Sequence, residues 1–281
     1  MPIHPFIITA WARVLDHAQA ASDRLYEVCN GLVGRSWLFD NLVSLAQQNV
    51  LVKAAVLGGC FIAAWHLQRN DETTRRDRRV LMVTLFAALV VAGTTKSLSN
   101  SIFLPRPFVQ SQAIYYVQGE HLVESKPLPY RVPLDDYHRK VYQDLKKGDV
   151  IQNDLVSFPS DHAGFYFTLA LGILLVSRPI GWIAMGWTCI VLLASRVITG
   201  QHSPLDVVAG SAIGAAVLLV ALFVARLLRW PLDQIAGWTI RHQALATVLV
   251  FVAVFEASNT LQDLPPLIET CSAIADHLFK G

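Results

Sequence analysis

The sequence predicts an all-α integral membrane bundle of about six transmembrane helices, with interfacial helices at its N-terminus. Two observations predict it. The first is composition: of 281 residues, 53% are hydrophobic and 16% charged, with a mean hydropathy of +0.42. A soluble domain carries about 25% charge. The second is patterning: six apolar runs follow residue 48, and a perpendicular span needs about 20 apolar residues.

Residues 1–48 come first and alternate apolar with polar positions. Phe6, Ile7, Ala10, Trp11, Val14 and Leu15 recur at helical spacing, as do Trp37, Leu38, Leu42 and Leu45. These read as amphipathic helices lying at the membrane interface. Soluble helices packed on the bundle are the alternative. The start lacks a basic segment followed by a long apolar core, so it does not read as a cleaved signal peptide.

The apolar runs cover 50–67, 80–98, 162–176, 180–194, 205–228 and 244–257. The third, fourth and sixth are short and need their polar flanks to complete a crossing. Arg69, Arg75, Arg76, Arg78 and Arg79 lie between the first two runs. Arg178 lies in the next connection on that side, and Arg226, Arg229 and Arg241 in the one after. By the positive-inside rule these connections are cytoplasmic. The termini, the long polar segment 104–160 and the turn near His202 then fall on the extracytoplasmic side.

The expected organisation is therefore interfacial helices over 1–48 and a transmembrane bundle over 49–260. The bundle includes an extracytoplasmic insertion over 108–156, and an extracytoplasmic tail follows over 261–281. The insertion is too long for a plain connection. It reads either as a small cap over the site or as an ordered surface insertion. The net charge of +2 gives no reason to expect nucleic acid as a partner. Four cysteines, Cys29, Cys60, Cys189 and Cys271, form no CxxC pair, so zinc and thioredoxin-type chemistry have little support. Cys29 and Cys271 both fall on the oxidising side of this topology, where a disulfide is permitted.

Three polar clusters interrupt the apolar pattern. The first to weigh is Ser195-Arg196-Val197-Ile198-Thr199-Gly200-Gln201-His202-Ser203-Pro204-Leu205-Asp206, between the fourth and fifth runs. Ser203 and Pro204 look like an N-cap and the first residue of a helix. Asp206 has the spacing to complete a capping box with Ser203. That alone leaves Arg196 and His202 without a purpose. A neutral imidazole is a nucleophile towards phosphorus, a carboxylate on its other ring nitrogen fixes the tautomer, and a guanidinium matches phosphate oxygens.

Another cluster, Ser157-Phe158-Pro159-Ser160-Asp161-His162-Ala163, opens the third run. Ser160 reads as an N-cap, and the amides of the first turn form an anion site. His162 reads as a general acid for a leaving alkoxide. The remaining cluster runs from Lys96 through Asn100 to Pro105-Arg106-Pro107 at the end of the second run. Alone, Lys96 reads as a lysine snorkelling to the interface. Beside the other clusters, Lys96 and Arg106 become candidate phosphate clamps.

Taken in this order, the clusters resemble the type 2 phosphatidic acid phosphatase superfamily. The third motif matches in full, as Ser195, Arg196, His202 and Asp206. The second matches except that Asp161 stands where the family has glycine, a form similar to that of some bacterial undecaprenyl-diphosphate phosphatases. The first departs: nine residues separate Lys96 from Arg106 where the family has six, and Ser99 occupies the family's lysine slot. Lys96 and Ser99 share a helical face one turn apart.

The resemblance implies a metal-independent lipid phosphatase that uses no cofactor. Its substrate would be a lipid phosphate such as phosphatidic acid, phosphatidylglycerophosphate or a polyprenyl diphosphate, and its surroundings membrane lipids. His202 would form a phosphohistidine, with His162 as acid and Asp206 orienting the nucleophile. Lys96, Arg106, Ser160 and Arg196 would hold the phosphate. Two other readings stay open: phosphotransfer to another lipid or sugar, and a non-catalytic lipid-phosphate binder or translocator. The implied localisation is a multi-pass protein of the bacterial inner membrane with an extracytoplasmic site.

Overall fold

Helix dominates this computed structural model, which describes residues 5–67, 69–101, 104–112, 115–118, 121–124, 127–149 and 156–255. The helices are α1 (Pro5–Asn30), α2 (Trp37–Gln48), α3 (Val50–Trp65), α4 (Asp71–Ser101) and α5 (Asp136–Lys147). They continue with α6 (Asp161–Val176), α7 (Arg178–Ile198), α8 (Pro204–Leu227), α9 (Arg229–Arg241) and α10 (Gln243–Phe255). One antiparallel hairpin, β1 (Tyr115–Gln118) with β2 (His121–Glu124), lies in the insertion.

All six apolar runs are helical over their described residues, except at the ends of the first (66–67) and the fifth (228). Helices α4, α7 and α8 include three segments long and apolar enough to cross a bilayer: Asp71–Ser99, Arg178–Ile198 and Pro204–Leu227. The number reaches five if α2 with α3, and α9 with α10, each count as one broken span. The apolar α6 is shorter, at 16 residues. The chain is an all-α integral membrane protein. Leu219, Val220, Phe223 and Leu227 on α8 stay exposed, which an apolar helix tolerates only towards lipid.

Two boundaries differ from the sequence expectation, each for a local reason. The arginine-rich connection is mostly helix, because α4 starts at Asp71. The Asn70 side chain accepts from the Thr73 amide at 2.9 Å, and Asp71 and Glu72 favour the first turn. The fourth run extends to 21 residues because α7 carries a π-helical turn, Thr188–Leu193, before its last α turn.

The chain forms two compact units. One comprises residues 1–47, 97–160 and 191–210. Tyr26, Leu128 and Val197 make its apolar core, with Cys29, Tyr130 and Val207 against it. Polar ties join its segments. Asn30 donates to Ile198 O at 3.0 Å and accepts from the Arg131 amide at 2.7 Å. Asp40 accepts from the amides of Gly34 and Leu134 at 3.0 and 2.9 Å. Helix α2 is inside-out by soluble standards. It buries Asp40, Ser44 and Gln47 and exposes Trp37, Leu38, Leu42 and Leu45.

The other unit comprises 48–96, 161–190 and 211–281, described to Phe255. Here α6, the first half of α7 and α3 pack together. A Cβ on Gly172 would collide with Thr84, so glycine permits the close approach of α6 and α4. Arg78 is buried, donating to Thr239 O at 2.6 Å with its guanidinium 4.9 Å from the Trp65 ring centroid. Cys271 and the whole tail over 261–281 lie outside the described residues, and so does the expected Cys29–Cys271 pairing.

Candidate active site

His202 sits between a helix stop and a helix start. The stop is a Schellman arrangement at the end of α7. Gly200 adopts φ +75°, its amide donates to Val197 O at 3.1 Å, and the Gln201 amide donates to Arg196 O at 2.9 Å. Only glycine suits this turn. The conformation is left-handed, and a Cβ would stand 2.8 Å from the Tyr130 ring. The His202 amide then donates to Arg196 O at 3.2 Å.

The start is a capping box on α8. The Ser203 amide donates to Asp206 Oδ2 at 2.6 Å, and the Asp206 amide donates to Ser203 Oγ at 3.2 Å. Pro204 is the first helical residue, where its missing N–H costs nothing. The two motifs hold the intervening histidine from both sides, and its side chain is almost wholly buried.

Asp206 is also more than a cap. Its Oδ2 accepts a hydrogen bond from the Ser157 hydroxyl. His202 Nδ1 lies 3.0 Å from the Ser157 carbonyl oxygen and 3.3 Å from Ser157 Oγ. Asp206 Oδ2 is 3.9 Å from Nδ1, too far for a hydrogen bond. The direct contact expected between carboxylate and imidazole is thus replaced by one through Ser157.

Backbone pairing brings the distant motifs together within this unit. The Ser157 amide donates to Leu104 O at 2.8 Å, beside an antiparallel bridge between Pro105 and Val156. The Ser160 amide donates to Asp206 O at 3.1 Å, and the Phe108 amide to Gly200 O at 3.0 Å. Arg106 donates through Nε to Val156 O at 3.2 Å and through a terminal nitrogen to Gln201 Oε1. The structure therefore collects Arg106, Ser160, Arg196, His202 and Asp206 in one unit, with Ser160, His202 and Asp206 buried and Arg196 nearly so.

Lys96 and His162 belong to the other unit. Lys96 is half-buried on α4, one turn before Ser99. His162 is the second residue of α6. Its Nδ1 is 2.7 Å from Asp161 Oδ1, which also accepts from the His162 amide at 2.7 Å. The residue that replaces glycine thus pairs with the candidate acid.

The insertion contributes a buried polar network that its charge-rich sequence does not announce. His138 Nδ1 lies 2.9 Å from Asp135 Oδ2, and its Nε2 lies 3.1 Å from Gln47 Oε1. Thr199 Oγ1 donates to the same Gln47 oxygen at 2.6 Å, three residues before His202. Burial acts to raise Asp135, but hydrogen bonds from His138 and Ser44 and the nearby imidazole outweigh it. Its carboxyl therefore titrates below the ordinary value. Burial raises the Tyr26 and Tyr130 phenols flanking Gly200, which stay neutral. Among the described residues, no three His, Cys, Asp or Glu side chains gather as a metal-ligand set.

Sequence reasoning gave Ser157, Gln201 and Gln47 no role. The only available signal was that Ser157 opens the second cluster; its partners lie 45 and 49 positions away.

A family model described as the PAP2 superfamily matches residues 79–230, more than half of the chain. The bacitracin transport permease protein BcrC of Bacillus licheniformis is 40% identical over 70 residues. That stretch is 24% of this chain and 32% of the relative, so about a third of the relative's length is matched. No solved structure matches the chain.

Proposed function

The chain belongs to the PAP2 superfamily, and from that premise we propose that it hydrolyses a lipid phosphate through a phosphohistidine. The observation that carries this reading is the state of the His202 ring. Nδ1 is engaged by Ser157 beside Asp206, which favours Nε2 as the atom that attacks phosphorus. The lone pair of Nε2 forms the N–P bond as the bond from phosphorus to the leaving oxygen breaks. His162 gives its proton to that oxygen. Water then attacks phosphorus, gives a proton back to His162 and releases phosphate from His202.

Arg106, Ser160, Arg196 and Lys96 offset the charge on the phosphoryl oxygens. Arg106 is preset for this by its bonds to Val156 and Gln201. Asp161 against His162 supports the acid role, because a carboxylate on one ring nitrogen orients the other. The second-motif form, with Asp161, favours a polyprenyl diphosphate among the candidate lipids. The arginines around the start of α4 and α9 favour a cytoplasmic placement of those ends and an extracytoplasmic active site. The setting is a multi-pass protein of the bacterial inner membrane. The inside-out face of α2 supports an interfacial N-terminal region over 1–48.

The test is phosphate release by the purified chain in detergent micelles. The substrates are phosphatidic acid, phosphatidylglycerophosphate and farnesyl diphosphate, each with and without EDTA. Turnover of at least one is expected, undiminished by chelation, and His202→Ala should lower it by at least about a thousandfold. Near-normal turnover in that variant would remove His202 as nucleophile. Binding of all three without phosphate release would favour a lipid-phosphate binder.

A further inference from the structure

We propose that Ser157 is a positioning residue for His202, transmitting the influence of Asp206 to the imidazole that the carboxylate does not reach itself. The proposal rests on the reading of His202 as nucleophile. Its evidence is the geometry: a hydroxyl bonded to Asp206 Oδ2, 3.3 Å from His202 Nδ1, with the carboxylate 3.9 Å from that nitrogen.

The proton count fixes the direction of the chain. A hydroxyl has one proton to donate and lone pairs with which to accept. An ionised Asp206 only accepts, so the Ser157 proton points to the carboxylate. The Ser157 oxygen and carbonyl then both face Nδ1 as acceptors. Nδ1 must carry the ring proton, and the lone pair is left on Nε2. When Nε2 bonds to phosphorus the ring gains positive charge. The polarised hydroxyl and the carboxylate behind it stabilise that charge, and no proton leaves the ring.

Ser157 is well placed for this because its backbone is fixed independently. Its amide is held by Leu104 O at 2.8 Å, and the preceding residue pairs with Pro105. Ser157 is 2% exposed, so water does not compete for its hydroxyl. A purely structural serine would serve only to satisfy the buried carboxylate. The two roles differ in what happens to the nucleophilicity of Nε2.

The test uses the full-length chain with Ser157→Ala and Ser157→Thr. One arm measures phosphate release from farnesyl diphosphate and from phosphatidic acid in micelles. The other measures the rate at which diethyl pyrocarbonate modifies His202 without substrate, read by peptide mass. Ser157→Ala should lower kcat about tenfold or more with KM little changed. It should also slow modification of His202, whereas Ser157→Thr retains both. A serine that only packs would give the opposite second result, since its loss opens access to the ring. Unchanged or faster modification in Ser157→Ala therefore overturns the proposal, even if turnover falls. If the unmodified chain releases no phosphate from either lipid, the phosphatase reading fails, while the modification rates still decide the role of Ser157.

Discussion

A carboxylate against an imidazole alters what that imidazole does, and Asp161 places one 2.7 Å from His162 Nδ1. Where the family pattern has glycine there would be no such partner. Replacing Asp161 with Asn keeps the size and removes the charge. The expected outcome is a kcat loss of about tenfold on phosphatidic acid, whose leaving group is a poor alkoxide. A p-nitrophenyl phosphate ester, which needs no acid, should lose much less. Equal losses on the two substrates would show that Asp161 acts on folding or binding. At this scale the sequence was informative about residue type and poor about partners. His202, Asp206, Arg196 and Arg106 stood out because charged groups among apolar runs need a reason. Ser157 did not, because a serine has many reasons to be anywhere, and its contacts cross more than forty residues of chain.

Helix ends determine where His202 stands. The Schellman stop at Gly200 and the capping box at Ser203 were half legible: Ser203, Pro204 and Asp206 announce a start, but Gly200 was not read as a stop. The insertion was less legible still. Asp135 and His138 sit in the charge-rich stretch of an insertion that reads as a small cap or an ordered surface segment, yet their side chains are 4% and 1% exposed. His138 faces Gln47 and, through it, Thr199, while Asp135 accepts from Ser44. The consequence for stability follows from the sign of the Asp135 shift. A depressed carboxyl stabilises the fold above its unfolded value, near 3.8, and loses that contribution as pH falls through its lower folded value. Thermal unfolding in detergent should thus show Asp135→Asn less stable than the unmodified chain at neutral pH, by about 2 kcal/mol. The gap should narrow only below the ordinary carboxylate range. A gap that is the same at pH 3 and pH 7 would contradict the pairing.

Across the whole molecule, the apolar runs and the arginine asymmetry made the membrane class legible from sequence, because hydrocarbon admits few other solutions than apolar helices. Helix ends were harder to place, since π-helical turns and caps shift them without changing hydropathy. The proposed extracytoplasmic placement of the site has a direct consequence. A cysteine replacing exposed Lys140 on α5 should react with a membrane-impermeant thiol reagent in intact cells. One replacing exposed Arg75 on α4 should react only after permeabilisation. The reverse pattern would put the site on the cytoplasmic side.

In the proposed mechanism His202 carries the phosphoryl group during turnover. Brief mixing with farnesyl diphosphate labelled in its terminal phosphate, followed by an alkaline quench and peptide mapping, would trap that intermediate. An acid-labile, base-stable phosphate is expected on the peptide containing His202, absent from His202→Ala. Turnover with no label on that peptide, or with label on another residue, would contradict it.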